Sequence, residues 1–210
     1  YRACSRYTRG YVTWKMRLDP VHRAVLDLAA AERFGSVADL GCGRAQLGLS
    51  LLEAGLATSL TGLDWDAGEL ADARRAAAGL DATFAQADLR AASIPAADTV
   101  LIIDVLYQMP AAAQLDLLAR AAAAARHRLV VRVFDPDRGW RSRVGWLSEA
   151  GIWAAGLYRR ASISPTPIAT LEAALGRAGF ACETRPCWGM MPLPNVLLVA
   201  RRRTGAGAPA

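Results

Sequence analysis

The sequence lacks several features that would assign the protein to a large class. No apolar run reaches about eighteen residues, the length needed for a membrane-spanning helix. The four cysteines, at positions 4, 42, 182 and 187, have none of the spacings that bind a metal. We therefore expect no membrane span, no metal site, and free thiols of the kind found in cytoplasmic proteins.

Two common nucleotide-binding motifs are also missing. A P-loop needs Gly-Lys-Ser or Gly-Lys-Thr, but the sequence has a single lysine, Lys15, and it lies in no such motif. The dinucleotide fingerprint needs a third glycine where this chain has Gln46. This departure disfavours an NAD-dependent oxidoreductase.

Composition sets broader limits. With 210 residues, 53% of them apolar, the chain suits one α/β domain with a sizeable core. The net charge of +6 is compatible with nucleic acid, an anionic membrane or an acidic protein partner, and also with an ordinary solvated surface. No signal peptide is visible, and because the chain opens on Tyr1, N-terminal residues can have been removed.

Strand-like and helix-like segments alternate from residue 36 onward. This order predicts parallel strands joined by right-handed helical crossovers. Asp19 and Pro20 begin an earlier helix as its N-cap and first residue, whereas residues 1–19 show no clear period and are expected to form a cover. Strands are predicted at 36–40, 59–64, 82–87, 98–104 and 128–134, and helices at about 45–54, 67–78 and 111–125.

The pattern breaks after residue 135. Residues 136–165 form a Trp-rich insert that is longer than an ordinary connection, and a helix near 166–178 follows it. The runs 181–188 and 195–202 are joined by so short a link that they must pair antiparallel.

Chemically distinctive residues stand where the predicted strands end. The first strand is followed by Gly41 and Gly43, the second ends at Asp64, the third at Asp88 and the fourth at Asp104. Parallel strands present these ends at one edge of a sheet, where open α/β folds bind small molecules. A carboxylate such as Asp64 can accept hydrogen bonds from both hydroxyls of a ribose, which fits a dinucleotide and S-adenosylmethionine alike.

The stretch Asp39-Leu-Gly-Cys-Gly-Arg-Ala45 resembles the first motif of class I S-adenosylmethionine-dependent methyltransferases, in which the place of Ala45 is often taken by glycine. The resemblance implies a Rossmann-like α/β sandwich, with a seven-stranded, mostly parallel sheet and an antiparallel last strand. It divides the chain into a cover with the first helix (1–34), the methyltransferase domain with its insert (35–203) and a flexible tail (204–210).

The resemblance also implies a cofactor site. Asp88 would accept from the adenine amino group, Leu89 would meet a ring nitrogen through its N–H, and Trp65 could lie against the adenine face. Lys15 or Arg17 could pair with the methionine carboxylate. The predicted cofactor-binding residues are Asp39, Gly41, Cys42, Gly43, Asp64, Trp65, Asp88, Leu89, Asp104, Lys15 and Arg17.

The stretch from Ile103 to Pro110 resembles the family's Asp-Val-Leu-x-x-Leu-Pro motif, which is usual in enzymes that methylate small molecules. It would place Asp104 and Tyr107 beside the methyl group. No general base is fixed, and the candidates are Asp104, Tyr107 and His22. An apolar or aromatic acceptor is indicated by Trp140, Trp146, Trp153, Met190 and Met191, for which ordinary packing remains an alternative. The candidate substrate-binding residues are Tyr107, Trp140, Trp146, Met190 and Asn195.

Scattered residues in 135–141 and 191–201 are similar to stand-alone bacterial methyltransferases of aryl polyene and fatty-acid-like pathways. This similarity implies a small aromatic or acyl acceptor in specialised pigment or polyketide-like metabolism, with an acidic acyl carrier protein as a potential partner. S-Adenosylhomocysteine would be the product, and no nucleic acid is expected. An RNA methyltransferase and a cofactor-binding protein without turnover remain the alternatives.

Overall fold

The structure, a computed structural model, describes residues 1–139, 164–188 and 194–203. In these ranges the helices are α1 (Arg6–Leu18), α2 (Pro20–Ala31), α3 (Gln46–Glu53), α4 (Ala67–Ala76), α5 (Ala111–Ala124) and α6 (Ile168–Arg177), with a short 3-10 helix at Leu106–Gln108. The strands are β1 (Gly35–Leu40), β2 (Ala57–Asp64), β3 (Ala82–Gln86), β4 (Ala97–Ile103), β5 (Ala125–Phe134), β6 (Phe180–Pro186) and β7 (Asn195–Arg202).

The seven strands form one sheet in the order β3-β2-β1-β4-β5-β7-β6. The first five pair in parallel, and β7 runs antiparallel to both of its neighbours, β5 and β6. This topology confirms the predicted seven-stranded Rossmann-like class. Buried residues form two apolar clusters, one including α5 and α6 and the other including α2, α3 and α4.

The strand order reverses beside β1, since β2 lies on one side of it and β4 on the other. In open α/β sheets, ligands bind outside the carboxyl ends of the strands at such a switch point. The ends of β1, β2, β3 and β4 therefore frame the place where a ligand is expected.

Most predicted elements are confirmed within one to three residues, and the exception is the N-terminal cover. Residues 6–18 form α1, which the absence of a clear period concealed. Only Thr8 and Val12 of this helix are buried, whereas Tyr7 and Trp14 are exposed, so its sequence lacks the continuous apolar stripe of a core helix. The region before β1 thus holds two helices instead of one.

The start of α2 follows the predicted capping. The Asp19 side chain accepts a hydrogen bond from the Val21 N–H at 3.1 Å, and Pro20 occupies the first helical position, where its missing N–H costs nothing. This cap fixes where the helix begins, and so where its next residues stand.

Several expectations from the sequence concern residues outside the described ranges, or features that we expect to be absent. Trp140, Trp146, Met190, most of the insert and the tail at 204–210 lie outside the described residues. All four cysteines are free thiols. Among the described residues, no helix combines the length and apolar character needed to cross a bilayer, and no group of acidic, histidine and cysteine side chains could hold a metal ion.

Candidate active site

The loop after β1 passes unusually close to its neighbours. Gly41 has φ +77° and Gly43 has φ +55°, in the left-handed region that favours glycine. A Cβ atom on Gly41 would lie 2.3 Å from Cγ2 of Val105, and one on Gly43 would lie 2.6 Å from Oε2 of Glu69. The two glycines therefore let the loop pack directly against Val105 and Glu69, where any larger residue would overlap these side chains.

Ala45 ends this loop as the N-cap of α3 and is also left-handed, with φ +57°. The residue is completely buried. An alanine therefore occupies a backbone conformation that glycine adopts at lower cost, which explains why the related motif often has glycine there.

Asp64, at the end of β2, joins the glycine loop to the next helix. One carboxylate oxygen accepts from the Gly43 N–H at 2.7 Å, and the other accepts from the Asp66 N–H at 2.9 Å. Each oxygen of an ionised carboxylate has a second lone pair, so both can still accept a ligand hydroxyl. Asp64 is thus the residue best placed to bind a diol beside the glycine loop.

Asp39 lies on β1 and is almost completely buried. Desolvation, reinforced by the nearby Asp64 carboxylate, raises the pKa of Asp39 to about 7. Two carboxyl groups that share a buried site cannot both be charged without cost. At neutral pH this pair therefore carries less than two negative charges.

The raised pKa of Asp39 predicts that the free energy of unfolding depends on pH. A carboxyl in the unfolded chain titrates near pH ~4, so the contribution of Asp39 is complete below ~4 and is lost as the pH rises through about 7. Asp39→Asn, which is always neutral, should exceed the wild type in unfolding free energy by about 2–4 kcal/mol at pH 8 and by little near pH ~4. Urea denaturation of the ligand-free proteins measures this difference. The exposed Asp27→Asn variant is the control, and a difference that does not change with pH would contradict the prediction.

The end of β3 forms the more open side of the site. Asp88 is paired with Arg90 at 2.6 Å, and the hydrogen bonds from Arg90 lower the pKa of Asp88 to about 2. Leu89 is buried, whereas 63% of the Trp65 surface is exposed. An ionised acceptor, a backbone N–H and an accessible indole, the groups predicted to contact adenine, therefore line the same cleft.

The end of β4 carries a second backbone irregularity. Asp104 is a non-glycine residue with φ +61°, and its carboxylate lies 3.0 Å from Nη1 of Arg132. Desolvation raises the pKa of Asp104, although Arg132 and a hydrogen bond from Tyr107 act in the opposite direction. A partly buried carboxyl with this balance can accept or hold a proton.

His22 approaches from α2. The imidazole is 3% exposed, and neither ring nitrogen has a hydrogen-bond partner in the described structure. Desolvation lowers the pKa of His22 to about 4, so the ring is neutral at physiological pH. A buried polar group normally has a partner, and the two nitrogens of His22 are therefore available to a ligand.

These residues line one cleft of about 1010 Å³. Its lining includes the predicted residues Lys15, His22, Asp39, Gly41, Cys42, Gly43, Asp64, Trp65, Asp88, Leu89 and Asp104. The structure thus brings together residues from β1, β2, β3, β4 and both N-terminal helices.

Three predicted residues stand elsewhere. Arg17 lines a separate groove on α1 with Trp14 and is not among the residues lining the cleft, because Lys15 and Arg17 project from different sides of the helix. Tyr107 acts on the site through Asp104 and is itself not part of the lining. Asn195 is buried at the start of β7, opposite Phe134 of β5, also away from the described lining.

Sequence reasoning missed the residues that hold α1 over the site. Arg44 pairs with Glu69 at 2.7 Å and with Asp72 at 3.2 Å, and its guanidinium lies 4.9 Å from the ring centre of Tyr11. Asp72 also accepts a hydrogen bond from the Thr8 hydroxyl at 2.8 Å. These contacts join α1, α4 and the glycine loop across long sequence separations, so no local sequence pattern could predict them.

The residues present fit an adenosine-bearing sulfonium. Gly41 and Gly43 bring main chain into the cleft lining, Asp64 has free lone pairs for a ribose, and His22 has two unsatisfied nitrogens. Among the described residues, Lys15 adds a cation to the same lining.

Comparisons with known proteins agree with this geometry. Residues 37–128 match the family model of a methyltransferase domain. No curated protein matches the chain by sequence.

Solved structures share the fold. The magnesium protoporphyrin IX methyltransferase of Synechocystis, crystallised with S-adenosylhomocysteine, is 23% identical with a TM-score of 0.67, over 88% of this chain and 84% of that one. The S-adenosylmethionine-dependent methyltransferase SibL is 25% identical with a TM-score of 0.67, over 94% of this chain and 58% of that one.

A third similar structure is the pyocyanin biosynthetic protein PhzM, at 24% identity and a TM-score of 0.62 over 81% of this chain and 51% of that one. Residues 37–128 thus match a methyltransferase domain, and the chain shares the fold of S-adenosylmethionine-dependent methyltransferases.

Proposed function

We propose that the protein methylates a small aromatic or acyl acceptor at the end of the cleft between α2 and β4. One observation carries this proposal: the buried, unpartnered imidazole of His22 and the carboxylate of Asp104 line the same cleft as several apolar side chains. Apolar residues there include Val21, Ile103, Val105 and Met109. Apolar walls with a few polar groups are typical of a site for a small organic molecule.

Within this proposal, the remaining cleft residues hold the cofactor. The glycine loop and Asp64 would bind the ribose side, Asp88 with Leu89 the adenine, and Lys15 the carboxylate. When bound, S-adenosylmethionine supplies a methyl group that is already activated by the positive sulfur. The protein's main task is therefore to orient the acceptor and exclude water.

The acceptor proton has two potential destinations on this chain. The neutral His22 ring can accept a proton on either nitrogen, and Asp104 can accept one on its carboxylate. A phenol near pKa ~10 gains from such a base, since its neutral form is a weak nucleophile.

Charge and neighbours favour a small acceptor over RNA. The lining holds six acidic residues and, besides His22, three basic ones, which opposes a polyanion. The acidic residues are Asp39, Asp64, Asp66, Glu69, Asp88 and Asp104, and the basic residues are Lys15, Arg44 and Arg90. Two neighbours in fold are named for magnesium protoporphyrin IX and for pyocyanin biosynthesis.

The finer assignments belong to the same proposal. The scattered similarity to aryl polyene enzymes supports specialised metabolism, and the net charge of +6 would suit an acidic acyl carrier protein. A cytoplasmic location and a bacterial origin are proposed on the same resemblance. Trp140, Trp146 and Met190 remain proposed substrate contacts on sequence grounds.

Radiolabelled S-adenosylmethionine tests the proposal directly. The acceptor panel should contain simple phenols, aryl carboxylic acids, acyl carrier thioesters and a short RNA. We expect transfer to an aryl or acyl compound and none to the RNA. Label only on RNA, or cofactor binding without transfer to any acceptor, would count against the proposal.

His22→Phe provides the residue-level test. Phenylalanine fills the buried space but cannot take a proton or donate a hydrogen bond, so kcat should fall about 100-fold if His22 is the base. The matched control is His127→Phe, at the chain's other histidine, which is exposed beside Asp98 near the start of β4. Equal activity of the two variants would remove His22 from the reaction.

A further inference from the structure

Arg132 lies on β5, between β4 and β7 in the sheet, and is 5% exposed. Its Nη1 atom lies 2.7 and 2.9 Å from the two carboxylate oxygens of Asp19, and 3.0 Å from Oδ2 of Asp104. One guanidinium nitrogen thus joins the start of α2 to the end of β4. Arg132 itself is not part of the described cleft lining.

Both acidic partners of Arg132, Asp19 and Asp104, are connected to the cleft. Asp19 caps α2, and its backbone oxygen accepts from the His22 N–H at 3.3 Å, so its position determines where the imidazole stands. Asp104 has a left-handed backbone, and its N–H donates to the Arg132 backbone oxygen at 3.2 Å. Arg132 therefore holds Asp104 through the main chain and the side chain together.

A second arginine on the same strand does something different. Arg128 lies four residues earlier on the same face of β5 and is 8% exposed. It pairs with Glu32, beyond the end of α2, at 2.8 Å, and with the backbone oxygens of Glu32 and Arg33. The two arginines are comparable in burial and in having an acidic partner, but only Arg132 is connected to the site.

We propose that Arg132 is a positioning residue for methyl transfer, which acts from behind the cleft by fixing His22 and Asp104 relative to each other. The inference rests on the proposed function of those two side chains. Orientation of reacting groups can supply much of an enzyme's rate, and small misplacements are costly. A residue that bridges two elements bearing these groups is therefore expected to affect kcat more than cofactor affinity.

The charges around His22 give the proposal a readout besides activity. Asp19 raises the pKa of His22, whereas Lys15 and Arg132 lower it and so help keep the ring neutral. The chain has only two histidines, so NMR can follow the His22 ring with His127 as an internal reference.

The experiment compares Arg132→Met and Arg132→Lys with Arg128→Met in the full chain. For Arg132→Met we expect the His22 titration to move to higher pH, and kcat to fall about tenfold with the KM for S-adenosylmethionine nearly unchanged. Arg132→Lys keeps a cation with several donors and should restore most of both properties. Arg128→Met should leave the His22 titration and kcat close to those of the wild type.

Asp19→Asn covers the case in which Arg132→Met does not fold. Asparagine caps a helix as well as aspartate, so α2 is retained while the charge that faces Arg132 is lost. We expect a lower kcat with unchanged affinity for S-adenosylhomocysteine. If the Arg132 variants and Asp19→Asn match Arg128→Met in both readouts, the positioning role is overturned.

Failure of the proposed function would give a different result from failure of the positioning role of Arg132. In that case the wild type would bind S-adenosylhomocysteine in calorimetry but methylate no aryl or acyl acceptor. The NMR comparison of Arg132→Met with Arg128→Met would still decide whether Arg132 controls the environment of His22.

Discussion

Asp64→Asn is expected to weaken S-adenosylhomocysteine binding by about 100-fold, because two functions are lost together. The new amide nitrogen cannot accept a hydrogen bond, so either the Gly43 N–H or the Asp66 N–H is left without its partner. The ribose hydroxyls also lose a charged acceptor, a type of hydrogen bond worth about 1.5–3 kcal/mol. Isothermal calorimetry at fixed pH and salt measures the change.

Asp66→Asn is the matched control on the same loop. It removes the same charge two residues away, but the side-chain oxygen can still accept from the Gly68 and Glu69 N–H groups and cap α4. We expect its affinity to stay within about threefold of the wild type. Equal losses in both variants would mean that net charge, and not the geometry of Asp64, controls binding.

Gly41→Ala is expected to lower the unfolding free energy by about 3 kcal/mol and to abolish measurable cofactor binding. The added Cβ would lie 2.3 Å from Cγ2 of Val105 in a backbone with φ +77°, so steric overlap adds to conformational strain. Val105 is β-branched and cannot move away as a longer side chain could. Denaturant titration and calorimetry on the same protein give both quantities.

The control Gly55→Ala separates the cost of the left-handed backbone from the cost of steric overlap with a neighbour. Gly55 follows α3 with φ +64°, and a Cβ there would meet no atom within 4 Å. We expect a loss of about 1 kcal/mol and unchanged cofactor binding. If Gly41→Ala cost no more than Gly55→Ala, the close approach of Val105 would not constrain the loop.

The sequence was most informative where neighbouring parallel strands end. Gly41, Asp64, Asp88 and Asp104 each follow or end an apolar run, and parallel pairing brings such positions to one edge. The role of Asp19 as a helix N-cap was equally predictable, because the residue directly precedes a proline. Local pattern and topology together therefore predicted the fold class and the core of the cleft.

The rest depended on contacts between distant parts of the chain. Arg132 is 113 residues from Asp19 and 28 from Asp104, and nothing around it distinguishes it from Arg128. The isolation of the His22 ring nitrogens is visible only once α2 is packed against the sheet. The sequence did not predict α1, because this helix is held by polar contacts to Asp72 and Arg44 and has no continuous apolar stripe.

The position of β7 in the sheet has a consequence for synthesis on the ribosome. Among the strands that the structure describes, β6 pairs with β7 alone, and β7 also completes the hydrogen bonding of β5. While residues 195–202 are still inside the exit tunnel, β5 has an open edge and β6 has no strand to join. The nascent polypeptide must therefore delay closure of its sheet until translation has passed β7, an interval in which a chaperone or another unfinished copy can bind the open edge.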